Sequence, residues 1–179
     1  MFLALAITRL ASVREGCAVT APPKEFNHFL RKATVFVIEH GDGGTVGVNL
    51  MKPTMLTIGE AAGVQGAIGE NTLYEGGEAG GRGVLMIHAV QDLEGAKQIG
   101  DSGIFVGGLK AAVERVAIGR NHPSDFKFFF NYVKWPKGQL DQDVQSGRWT
   151  PFDLPHDLIL HQDDDGRPTD LWNKIHRPQ

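Results

Sequence analysis

Gly100-Asp101-Ser102-Gly103 places a serine in the glycine-flanked frame of a serine-hydrolase nucleophile, where a histidine base must lie within hydrogen-bond reach of the hydroxyl. Ile104 stands where that frame has its next glycine, and four-residue matches arise easily in a chain with 23 glycines, so a turn serine is the competing reading. Glu39-His40 offers a carboxylate beside an imidazole, a pair suited to acid–base work at a strand end. Neighbouring strand residues face opposite sides, however, which favours a partly buried glutamate followed by a turn histidine. His156 and His161, with acidic residues after them, carry donors for a divalent metal, but their spacing matches neither a zinc-protease helix nor a structural zinc site. In Asp163-Asp164-Asp165-Gly166, aligning the glycine with that of a calcium loop puts His161 at the first ligand place and Trp172 where a bidentate glutamate belongs. A solvated loop is expected there. No Gly-Lys pair is present to build a phosphate-cradling P-loop, and the glycine clusters fall in turns without leading from a strand into a helix. No catalytic residue, metal or cofactor is therefore assigned.

The bounds on the chain narrow its partners. With 18 Lys and Arg against 21 Asp and Glu, the net charge of −3 supplies no field for gripping phosphate backbones, and nucleic acid is not expected as a partner. The single cysteine, Cys17, precludes an internal disulfide and suits a reducing intracellular compartment. The apolar run Phe2 to Ile7 is shorter than a signal-peptide core, no basic residue precedes it, and Arg9 follows, so secretion is disfavoured. No stretch of about 18 apolar residues occurs, so no transmembrane segment is expected, and peripheral membrane association stays open.

The elements that must hold these groups alternate between strand and helix. Strands are expected at Cys17 to Ala21, Thr34 to Glu39 and Thr45 to Met51, the last two forming a hairpin through the glycine turn after His40. Thr72 to Glu75 and Val84 to Val90 read as a second hairpin across the glycine-rich stretch that starts at Gly76. Leu109 to Ile118 is an amphipathic helix, while Thr57 to Ala62 is a weak one and Gly63 to Gly69 a loop. Phe126, Phe128, Phe130 and Tyr132 alternate with Lys127, Phe129, Asn131 and Val133, which predicts a strand with one apolar face. Pro136 breaks its ladder and Gly138 turns the chain into a helix from Gln139 that ends at Gly147. At the ends, Phe2, Leu3, Ile7 and Leu10 share one helical face, and Leu171, Trp172 and Ile175 form a stripe on a tail helix. Either stripe suits docking on the chain's own core or on a partner.

Glu39-His40 before a glycine turn, a strand closing on Lys52-Pro53-Thr54, Gly76-Gly77, Tyr132, Trp135, Gly138-Gln139-Leu140 and Gly147-Arg148-Trp149 together resemble the AlgH-like, or YqgE, family, over about Cys17 to Trp149. The resemblance implies an α/β fold of one domain, a mixed or mainly antiparallel β-sheet with surrounding helices, and little defined chemistry, with a regulatory role suggested for some members. The chain departs from the family's pattern at Met51, which replaces an asparagine, at Glu78, which replaces a proline, and at Asn131, Val133 and Lys134, where Asn131-Tyr132-Val133-Lys134-Trp135 stands for Gly-Tyr-Ala-Gly-Trp and two glycines have acquired side chains. These changes would fill or re-aim a pocket built from the shared turns.

The expected organisation is an N-terminal arm over 1–14, an AlgH-like α/β domain over 15–160, and an acidic loop with a C-terminal helix over 161–179. The expected function is that of a non-catalytic accessory, assembly or regulatory protein, a subunit of a larger complex held by protein–protein contacts through Phe2, Leu3, Ile7, Leu10, Leu171, Trp172 and Ile175. The alternative is an enzyme or small-molecule-binding protein whose pocket gathers Glu39, His40, Gly76, Gly77, Trp135 and Gln139. The leucine–tryptophan tail resembles that of members from photosynthetic eukaryotes, which implies a chloroplast, with a bacterial cytoplasm as the alternative.

Overall fold

The computed structural model describes residues 7–163 and 170–177. Phe2, Leu3, most of the acidic loop at Asp164-Asp165-Gly166, and Pro168 lie outside the described residues. In chain order the elements are β1 (Thr8–Arg9), β2 (Ala18–Thr20), β3 (Thr34–Gly41), β4 (Gly44–Asn49), β5 (Pro53–Thr57), α1 (Ile58–Ala62), β6 (Thr72–Glu75), β7 (Ala79–His88), β8 (Ala96–Gln98), β9 (Phe105–Gly107), α2 (Leu109–Ala117), β10 (Phe126–Trp135), α3 (Gln139–Gln145), β11 (Thr150–Asp153), α4 (His156–Ile159) and α5 (Leu171–His176). Among the described residues one mixed sheet runs β1-β11-β2-β3-β4-β10-β7-β9-β8, with β5 joined through β6 to β10. Every pairing is antiparallel except that of β6 with β10. The expected hairpin of β3 and β4 is present, and the helices α1, α2 and α3 form where capping and apolar spacing place them.

β10 organises the rest. Phe128, Phe129 and Phe130 pair in parallel with Leu73, Tyr74 and Glu75 of β6, and at the same positions antiparallel with Met86, Leu85 and Val84 of β7. A strand has two hydrogen-bonding edges, so β6 and β7 flank β10 and do not form the hairpin expected of them. The glycine-rich stretch is a crossing, and β7 already begins at Ala79. A Cβ on Gly77 would stand 1.9 Å from the carbonyl carbon of Tyr132, so only glycine lets the chain pass over β10 at that point.

The same strand carries a bulge. Asn131 has φ 60°, and pairing with β7 shifts register between Phe130 and Tyr132. One extra residue reverses the parity of a strand. Phe126 and Phe128 pack with Ile58, Leu73 and Met86, whereas Phe129 and Tyr132 pack together with Phe36, Val48 and Tyr74. Val133 and Trp135 join a third cluster with Val35, Val37 and Trp149. Tyr132 therefore shares a face with Phe129, not with Phe128, and both faces of β10 are covered. Of the strand's two lysines, Lys134 near its end is exposed, whereas Lys127 is buried among these side chains at 2% exposure.

The described residues near each end dock at home. Thr8 and Arg9 are extended and pair with Asp153 and Phe152, where a helical arm was expected, because the exposed edge of β11 offers backbone partners that a lone short helix lacks. Ile7 and Leu10 pack partly buried on the core. In α5, Leu171 is buried, Ile175 packs beside it, Trp172 Nε1 donates to the Ala21 carbonyl at 2.8 Å, and His176 Nε2 lies 2.9 Å from Thr20 Oγ1. Three short strands, β5, β8 and β9, and the four-residue β11 were not expected from the sequence.

Candidate functional site

Strand order puts β8 and β9 at one end of the sheet and β1 and β11 at the other, yet the sheet curls until these ends meet. The turn between β8 and β9 reaches the segment before β2: an added Cβ on Gly16 would lie 2.4 Å from Ser102 Cβ. Along this seam runs a cleft of about 710 Å³, with Val13, Leu154 and Ile159 as its apolar wall and Arg14, Glu15, His40, Asp101 and His156 among its polar groups. Its size falls within the range of small-molecule sites.

All of these polar groups but Asp101 have a definite engagement. Arg14 makes a two-pronged ion pair with Asp153 through one guanidinium nitrogen. Glu15 Oε1 accepts the backbone N–H of His40 at 3.3 Å. The His40 ring is held at both nitrogens, Nδ1 at 2.8 Å from Thr45 Oγ1 across the hairpin and Nε2 at 3.3 Å from Asp141 of α3. His156 Nε2 donates to the carbonyl oxygen of Ser102 at 2.7 Å, which fixes the proton on that nitrogen and leaves Nδ1 as an open acceptor. Asp101 is exposed and has no hydrogen-bond or ion-pair partner among the described residues.

This geometry decides the role of the Gly-Asp-Ser-Gly frame. Ser102 Oγ donates to Ile99 O at 2.7 Å and accepts from Ile104 N at 3.0 Å, closing the β8–β9 turn, while the nearby histidine binds the serine's backbone oxygen and not its hydroxyl. A base that cannot take the hydroxyl proton cannot activate the nucleophile. Ser102 is a turn residue. His156 and His161 both line a second cleft, of about 490 Å³, and His161 Nε2 reaches Asp163 at 3.4 Å. Among the described residues no three His, Cys, Asp or Glu side chains are placed to hold a metal ion.

Of the six residues expected to share a pocket, only His40 lines the seam cleft. Glu39 is exposed, not partly buried, because a bulge between Val37 and Glu39 turns it outward. Gly76 and Gly77 are buried in the crossing over β10. Trp135 is buried edge-on against Trp149, with ring centres 5.3 Å apart. Gln139 is exposed at the start of α3 and donates to Asp143 at 3.2 Å. Trp135 and Gln139 flank the turn from β10 into α3.

One further ionisable group was missed. Lys127 Nζ donates to the carbonyls of Leu50 at 3.0 Å and Ile159 at 3.3 Å, and sits 4.4 Å above the Tyr74 ring. Burial pushes its ammonium down to about 7, against an opposing pull from Asp163. Tyr74 in turn donates to Asp163 at 3.1 Å and accepts its backbone N–H. Lys127 thus ties the segment after β11 to the end of β4. A lone lysine in an aromatic run, FKFFF, is the sequence signal that could have flagged it.

Comparison with known proteins settles the kinship. The family model described as AlgH-like matches residues 18–179. The chain belongs to the AlgH-like family. A UPF0301 protein of Chlorobium phaeobacteroides is 33% identical over 156 residues, covering 86% of this chain and 82% of that protein. Another from Parabacteroides distasonis is 28% identical over 156 residues, covering 85% and 78%. The crystal structure of a Corynebacterium diphtheriae protein superposes with a TM-score of 0.74 at 19% identity, covering 93% of this chain and 87% of that one. The solution structure of AlgH from Pseudomonas aeruginosa gives 0.63 at 16% identity, covering 93% and 88%. These likenesses fix the fold. No helix among the described residues is long and apolar enough to cross a membrane.

Proposed function

We propose that the chain is a non-catalytic AlgH-like accessory protein, an assembly or regulatory subunit that works by contact with another protein. The observation that carries this reading is the bow of β5. Pro53 pairs with Tyr74 and Thr57 with Thr72, so four steps on β5 span two on β6 and the residues between must arch out of the ladder. Met55 is 100% exposed and Leu56 47%. The arch is held in place, because Thr54 Oγ1 donates to Leu73 O at 2.6 Å and accepts from Leu56 N at 3.1 Å. An apolar pair on a braced arch loses little conformational freedom when covered, and burying each side chain contributes roughly 1.5–3 kcal/mol. The partner surface that fits is an apolar socket on a second protein.

The sealed state of the other candidates supports the same reading. Ser102 is committed to its turn, Trp135 is buried against Trp149 while Gln139 is exposed, and the described members of the two terminal stripes, Ile7, Leu10, Leu171 and Ile175, pack on the chain's own core. The compartment proposed is a reducing one, plastid or bacterial cytoplasm, supported by Cys17, which is a buried free thiol.

The test is parallel purification, from native cells, of tagged wild-type and Met55→Ser/Leu56→Ser chains with equal thermal midpoints. A protein recovered in stoichiometric amount with the wild type and lost from the variant is the expected outcome. Equal recovery with both, or no stoichiometric partner, overturns the reading.

A further inference from the structure

We infer that the seam cleft is a binding site for a small organic cation, an amine or guanidinium carried on an apolar stem. The site shares no lining residue with the β5 arch, so it stands or falls independently of the proposed function. Anions are disfavoured because the cleft's sole lining cation, Arg14, is already committed to Asp153. With that pair neutralised, the remaining charges are the carboxylates of Glu15 and Asp101. Glu15 uses one oxygen on His40 N–H and keeps the other without a partner among the described residues, and Asp101 keeps both. His156 adds an acceptor at Nδ1, since its other nitrogen is tied to Ser102 O.

Apart from the unused N–H groups of Arg14, whose charge Asp153 neutralises, these open polar groups are acceptors, and they demand donors from the ligand. Beneath them lie Val13 at 7% exposure, Leu154 at 8% and Ile159 at 2%, an apolar floor that suits a hydrocarbon or ring. A bare metal ion does not fit, as no three ligating side chains converge among the described residues. A donor-rich cationic head with an apolar body satisfies both halves of the site. Because Glu15 binds the backbone of His40, and His156 binds the Ser102 turn, the acceptors are braced on both sides of the seam.

Three probes of one shape separate the charge from the stem: benzamidine, benzamide and benzoate, titrated into the full chain by calorimetry at millimolar concentration. Benzamidine is expected to bind while the neutral and anionic probes do not, with affinity falling as salt is raised. Asp101→Asn and Glu15→Gln should each weaken it about tenfold, the loss of one charge-assisted contact. Asp101 is exposed, so its variant keeps the fold and provides the decisive arm even where Glu15→Gln disturbs the seam. Absence of benzamidine binding, equal binding of benzamide or benzoate, or undiminished binding by Asp101→Asn overturns the proposal.

Discussion

Replacing Lys127 by methionine should reverse the stability order of the two proteins as pH is raised. In the native state burial lowers the lysine from 10.5 to about 7, and the unfolded chain restores the ordinary value. Below about pH 7 the ammonium is charged in both states and the full burial penalty is present. Between about 7 and 10.5 the unfolded chain holds more protons than the native one, so stability rises with pH by up to about 1.4 kcal/mol per unit. Across the window the relief amounts to about 5 kcal/mol. Methionine removes the penalty but leaves the carbonyls of Leu50 and Ile159 without their donor, at a cost of about 1–3 kcal/mol each. At about pH 6 the variant should therefore match or exceed the wild type, and at about pH 9.5 it should be the weaker protein. Urea unfolding followed by tryptophan fluorescence across that range measures it. Cys17 works in the opposite sense, because burial raises its thiol from 9.0 to about 11 and its stabilising contribution is lost as pH climbs through that interval. The effect is common to both proteins and cancels in their difference. A wild-type minus variant difference that does not change with pH would show that Lys127 is not desolvated as described.

Phe128, wholly buried between β6 and β7, should cost about 3–5 kcal/mol on truncation to alanine, read by chemical denaturation, and a loss below about 1 kcal/mol would mean that its face is open. Gly77→Ala should destabilise at or beyond the upper end of the roughly 1–3 kcal/mol typical of overpacking, because its methyl group meets the Tyr132 backbone; native-like urea midpoints would contradict the crossing. A serine-directed fluorophosphonate should leave the native protein unlabelled, since His156 faces the carbonyl of Ser102; stoichiometric labelling lost in Ser102→Ala would return that residue to catalysis.

The β3–β4 hairpin was legible because it is local: β-branched runs on either side of a glycine turn leave one solution. The arrangement of β6, β7 and β10 was not, for two strands separated by glycines pair with each other by default unless a third strand, here β10 from Phe126, takes the place between them. The phenylalanine run does take that place, and its aromatic content on both faces was the available clue, since a strand with one solvated face would not carry Phe129 opposite Phe128. Asn131 then hid the true alternation. Asparagine is among the few residue types enriched at φ near 60°, so Asn131 adopts this backbone without breaking the apolar alternation on either side, and the glycine that the family pattern has at this position was the one clue that parity changes there.

The same limit explains why the seam cleft was invisible while its parts were not. His40, Ser102 and His156 had each been singled out, but as members of separate motifs, each judged against chemistry that local spacing would supply. Their common address depends on the curl that brings the β8–β9 turn to the segment before β2, a closure made by Gly16 and Gly103, whose missing side chains admit Ser102 and the His156 ring. Sequence spacing tests a site built within one element. Here the groups come from the loop before β2, the end of β3, a turn between two short strands and the start of α4, so the binding chemistry is a property of the seam.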